Sequence, residues 1–151
     1  MHAQHILDHA PLGAYIRFSD GTPRPPDRHR RKLDEWENRN GRGQLTRKEA
    51  ARSLGSYDYR GGFSLHLGNY GSNGVVVIVY TRSFQVTSPL DFEIDKLPAE
   101  GSVRILTRCG DSDELKHLAS DMAAAEAWLQ DHHHYDVRLE TVTSQTGGRA
   151  A

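Results

Sequence analysis

Five basic side chains, Arg28, His29, Arg30, Arg31 and Lys32, are followed within a few residues by three acidic ones, Asp34, Glu35 and Glu37. The spacing predicts a helix over residues 26–38, with Pro26 at its first position and Asn40-Gly41 past its end. This order of charge opposes the helix dipole, which favours anions at the start and cations at the end by ~0.3–1 kcal/mol each. Arg30–Asp34 and Arg31–Glu35 are four apart and offset part of that cost, though in the less favourable orientation. A negative guest at the opening turn restores the balance, so the chemistry these residues suggest is phosphate recognition. The competing reading is a solvated helix anchored only by Leu33 and Trp36.

The cationic run extends beyond the helix on both sides. Arg24 precedes it, and Arg39, Arg42, Arg47, Lys48, Arg52 and Arg60 follow, with Tyr57, Tyr59 and Phe63 interleaved near the end. Arginines neutralise phosphates, and exposed aromatic rings stack on unpaired bases at roughly 1–3 kcal/mol per base. The predicted nucleic-acid-binding set is therefore Arg24, Arg28, Arg30, Arg31, Lys32, Arg39, Arg42, Arg47, Tyr57, Tyr59 and Arg60. The partner would be a nucleic acid or a nucleoprotein complex. The aromatic and glycine order lacks the signature of an RNA-recognition motif. The connection 39–45 is longer than a helix-turn-helix uses.

A second class of function uses the opposite charge. Asp111, Asp113, Glu114 and Asp121 would mimic a nucleic acid in a basic groove of a protein partner. Small accessory or inhibitor proteins of mobile elements share this size and charge character, an analogy only.

Catalytic chemistry finds less support. His2, His5 and His9 recur at helical spacing beside Asp8, but a frayed terminus is expected there. His132, His133 and His134 are consecutive, so their side chains diverge. Cys109 follows a strand and precedes an expected helix start, where a thiolate is stabilised. The arginine that a phosphatase loop needs is replaced by Leu115. There is no His-Glu-x-x-His, P-loop or Gly-x-Ser-x-Gly. No catalytic residue, metal or cofactor is predicted, and an enzyme built on Cys109 or a histidine stands third.

The elements that must position these groups read as α+β. The expected fold is a mostly antiparallel sheet of about five or six strands. One long helix, about 112–131, packs on a face, and one or two short helices lie near the N-terminus. Strands are predicted at 14–19, 60–67, 74–82, 84–87, 91–95 and 102–108. The run Val75–Tyr80 is continuously apolar, which suits a central strand covered on both faces. A weaker helix is predicted at 46–54, with a Thr46–Glu49 capping box and Gly55 as its C-terminal cap. Leu115, Leu118, Met122, Ala125 and Leu129 form the stripe of the long helix. Flanking strands at 103–107 and 136–141 suggest a β-α-β unit.

The chain of 151 residues suits one domain, 1–142, with a flexible tail at 143–151. Its formal charge of −1 conceals a split, because residues 1–60 sum to +4 and residues 61–151 to −5. That split permits a basic pole despite a neutral total. The longest apolar run, Val75–Tyr80, is far short of the ~18 residues of a membrane span. The single cysteine forms no internal disulfide, so a cytoplasmic location is expected.

Overall fold

The computed structural model describes residues 2–72, 75–109, 112–132 and 136–143. In chain order the elements are α1 (Ala3–His9), β1 (Tyr15–Ser19), α2 (Arg30–Arg39), β2 (Gly41–Glu49), β3 (Arg52–Leu54), β4 (Tyr57–Tyr59), β5 (Gly62–Ser72), β6 (Val75–Gln85), β7 (Asp91–Lys96), β8 (Val103–Cys109), β9 (Ser112–Ala119), α3 (Met122–Asp131) and β10 (Arg138–Thr141). The class is α+β as expected, but the sheet is larger and the helices shorter. Eight strands form a mostly antiparallel sheet, and β3 pairs with β4 separately. Among the described residues no helix is long and apolar enough to cross a membrane.

The sheet branches at β2. One edge of β2 pairs with β1 from Gly41 to Gln44 and with β9 at Arg47; the other pairs with β5. Glycines make the close approach possible. A Cβ at Gly41 would lie 2.8 Å from the Phe18 ring, and one at Gly43 would lie 2.6 Å from Leu67. Residues 46–49 and 52–54 are accordingly strand, joined at 50–51, and not the expected helix. Thr46 and Glu49 belong to β2, and no apolar stripe competes with the pairing of that strand. Gly55, with φ of +73°, turns the β3–β4 hairpin instead of capping a helix.

Two clusters divide the core. The first joins Phe18, Phe63, Phe84 and Phe92 from β1, β5, β6 and β7, with ring centroids 5.0–6.4 Å apart. Ala3 and Ile6 of α1 are fully buried in it, so the N-terminal segment is a docked helix where fraying was expected. Burial of each such large side chain contributes roughly 1.5–3 kcal/mol. The second cluster sets Val103, Ile105 and Ala119 of β8 and β9 against Ala125 of α3, with Trp128 and Leu129 packed beside them.

The long helix expected at 112–131 is two elements. Ser112–Ala119 is β9, paired along its length with β8, and only Met122–Asp131 is helical. A register shift at Ile105/Leu106 sets Leu115 opposite Leu106 and Ala119 opposite Val103, so the apolar positions of the expected helical stripe fall on both faces of β9. Pairing with β8 decides for the strand. The helix start is at Asp121, whose carboxylate accepts from the Ala124 N–H at 2.7 Å. The expected β-α-β unit also changes. β10 and β9 both pair antiparallel with β8, from opposite sides, so α3 connects two strands that run parallel with β8 between them. Cys109 therefore ends a strand that leads into another strand, and the helix start expected beside its thiol is absent.

Two further expectations change. Among the described residues β6 pairs only with β5, so the apolar run at 75–80 is on an edge and not central. The segment 84–87 is no separate strand, because Phe84 and Gln85 finish β6. The expected tail beyond Thr143 lies outside the described residues.

Candidate polyanion-binding surface

α2 begins at Arg30, four residues later than expected. Pro26 accepts from the His29 N–H at 3.0 Å in the turn before it. Arg28 thus stands just ahead of the helix, while Arg30, Arg31 and Lys32 form its first turn. The helix buries no residue; Leu33 and Trp36 are half-buried and every charged side chain on it is exposed. It behaves as an arm held at its C-terminal end.

That end is tightly tied. Trp36 Nε1 donates to Thr22 O at 2.9 Å. Asn40 Nδ2 donates to Trp36 O and to Asp20 Oδ1, while Asn40 Oδ1 accepts from Ser19 Oγ at 2.8 Å. Arg82 donates to Asn38 O and lies over the Phe84 ring at 4.9 Å. Asp20 accepts from Thr22 Oγ1 at 2.6 Å and from Thr22 N at 3.0 Å. These bonds, with help from Asn40 and Arg39, lower the Asp20 carboxyl to about 2.

The opposite end is bare. His29, at the N-cap, makes no side-chain cap bond, and the first turn holds no acidic residue. Arg28 Nε reaches only His29 Nε2, at 3.3 Å. Among the described residues no carboxylate comes within 4.0 Å of Arg28, Arg30, Arg31 or Lys32; the pairs Arg30–Asp34 and Arg31–Glu35 do not form. Four cations are therefore unneutralised within one helical turn and its approach.

The rest of the predicted track does not join them. Arg24 pairs with Asp27 at 2.7 Å and Arg39 with Asp20 at 3.2 Å. Arg42 bonds Asp95 at 2.6 Å while stacking over Tyr15 at 4.1 Å, and Arg47 reaches Glu49 at 3.4 Å. Lys48 Nζ donates to Ala10 O at 2.7 Å, and burial pushes its ammonium below the ordinary lysine value. Tyr57, Tyr59 and Arg60 belong to the β3–β4 hairpin and its exit. Tyr57 is exposed, and Tyr59 is half-buried with Arg52 over its ring at 5.7 Å. In the chain, the nine residues of β2 lie between the end of α2 and this hairpin.

The acidic alternative set is engaged internally. Asp113 bonds Arg138 at 2.6 Å, Glu114 bonds Lys116 at 2.8 Å, and Asp121 caps α3. Asp111, His133 and His134 lie outside the described residues. A feature the sequence reading missed is a stack of His117, Trp128 and His132. Trp128 lies 4.0 Å from His132 and 5.0 Å from His117, both nearly parallel. Burial first, and then the charge of His132, pushes the His117 imidazole below its ordinary value. The four-residue step from Trp128 to His132 is the available signal, whereas His117 falls inside the helix expected at 112–131 and is brought to the stack only by β9.

Fold and surface together define a small α+β protein with one cationic helical arm on a branched sheet. Residues 1–146 match the family model described as "Uncharacterised conserved protein UCP036055", and the chain belongs to that family. No curated protein and no solved structure matches the chain.

Proposed function

We propose that this chain is a non-catalytic binding protein whose α2 arm contacts nucleic acid, alone or within a nucleoprotein complex. The observation that carries the reading is the contrast among its cations. Arg17, Arg24, Arg39, Arg42, Arg47, Arg104 and Arg138 each have a carboxylate within 4.0 Å. Arg28, Arg30, Arg31 and Lys32 have none among the described residues. These four repel each other and the helix dipole, a local cost that phosphate oxygens would remove. The contact is with the backbone of the nucleic acid, because Arg28, Arg30, Arg31 and Lys32 are exposed cations suited to phosphate oxygens. Tyr57 and Tyr59 lie on the separate β3–β4 hairpin and are not counted in this contact. Arg24, Arg39, Arg42, Arg47 and Arg60 then contribute to the general potential and not to direct grip.

Fluorescence anisotropy of a labelled duplex at stepped salt concentration tests this. Four phosphate contacts give a slope of log affinity against log salt of about −3.6, roughly a hundredfold loss between about 50 and 200 mM. The double substitution Arg30→Gln with Arg31→Gln should lower that slope by about two. An affinity indifferent to salt, an unchanged slope in the double variant, or no binding at low salt removes the proposal.

A further inference from the structure

Among the described residues, β6, β7 and β10 each pair with a single strand, and they differ. β7 carries Asp91, Glu93, Asp95 and Lys96 along six residues, and β10 is four residues long with Arg138 and Glu140. Charge and shortness are the ordinary means by which an edge avoids pairing with another chain. β6 is eleven residues long, pairs only with β5 among the described residues, and has neither charge nor proline from Val75 through Thr81. Its composition is that of a strand with neighbours on both sides, yet it stands at an edge.

We propose that two copies of this chain pair through β6, antiparallel, into one continuous sheet. A second copy fits better than an unrelated strand for reasons of charge and closure. Antiparallel pairing of β6 with itself sets the uncharged stretch 75–81 against itself, so no charge faces a charge or is stripped of water. Pairing β6 with another copy's β7 or β10 would press carboxylates against valines. It would also form an open chain of molecules, whereas β6 on β6 closes as a two-fold dimer. Pairing over the seven residues 75–81 gives roughly as many backbone hydrogen bonds, within the ~10 ± 5 of a standard interface. The inference does not depend on nucleic-acid binding, and its test is run without nucleic acid.

Sedimentation equilibrium of the full chain should return twice the 16.9 kDa chain mass. Val77→Lys and Ile78→Lys, made separately, place like charges near each other across the two-fold axis and should each return the mass of one chain with an unchanged circular dichroism spectrum. Should either variant fail to fold, hydrogen exchange on the unmodified protein decides. The amides of Val75 to Thr81 that do not bond β5 should be protected, and more so as protein concentration rises. A wild-type chain that sediments as a monomer overturns the proposal. So does a dimer that survives both lysines, or one in which those outward amides exchange as fast as an open edge.

Discussion

Arg104 and Arg30 face opposite circumstances. Arg104, on β8, is 2% exposed, with Nε donating to Leu12 O at 2.7 Å and Nη1 against Glu140 at 2.6 Å. Arg30 stands on the first turn of α2, exposed, with no carboxylate in reach among the described residues. The same division separates the two regions that hold them. In the unit of β8, β9, α3 and β10, charged groups have structural work: Arg104 with Glu140, Arg138 with Asp113, Asp121 at the cap of α3. In the first turn of α2 they have none. A buried guanidinium must be paired because its desolvation is expensive, whereas an exposed one alters stability little.

The sharpest break of that comparison is in the apolar base of the C-terminal unit. Ile105 is fully buried between β8 and α3, and Ile105→Ala should cost about 2–5 kcal/mol in chemical denaturation. Next comes the buried pair. Glu140→Ala leaves the Arg104 charge buried with only a carbonyl partner. The expected loss is about 2 kcal/mol, below the 3–5 of a fully enclosed pair because Glu140 is half exposed. Arg104→Met should cost less than Glu140→Ala, because it removes the buried charge together with its unpartnered Nη2. If the order is reversed, the pair is not held as described.

Acid sharpens the comparison from the other side. Asp20 anchors the C-terminal end of α2, and its folded carboxyl is lowered from 3.8 to about 2. A depressed carboxylate contributes stability that is present above its unfolded value and lost as pH falls through the folded one. The anchor should therefore weaken between about pH 4 and 2, seen as a red shift of Trp36 emission as the indole meets water, a shift that Asp20→Asn abolishes. The smallest effect is expected at the arm's free end. Arg30→Gln with Arg31→Gln should shift stability by no more than about 0.5 kcal/mol. A larger loss would mean that these guanidiniums support the fold after all.

Legibility followed the range of the interaction. β1, β5, β7 and β8 were readable because alternation along a strand is local; Ile16 and Phe18 are two apart and both buried. β9 was misread because Leu115, Leu118 and Met122 continue the stripe of a real helix. What makes residues 112–119 a strand is β8, which no local pattern reports. Gly41 was expected just past the end of a helix, whereas Gly41 and Gly43 sit in β2 and admit Phe18 and Leu67. The cation cluster at the start of α2 was legible from charge order alone. Which arginines would be spent elsewhere was not, since Arg42 and Asp95 are 53 positions apart and Arg104 and Glu140 are 36 apart.

By itself, the amino-acid order determined the class of the fold, the existence of a helix whose charges oppose its own dipole, and an apolar run at 75–80 that forms a strand. These follow from neighbours along the chain, where propensity and periodicity act. Only the tertiary structure decided which carboxylate meets which guanidinium, that residues 112–119 are a strand, and that the apolar run stands at an edge. Those outcomes depend on which distant segments share a sheet, and hydrogen-bond pairing between them is energetically blind to separation in sequence.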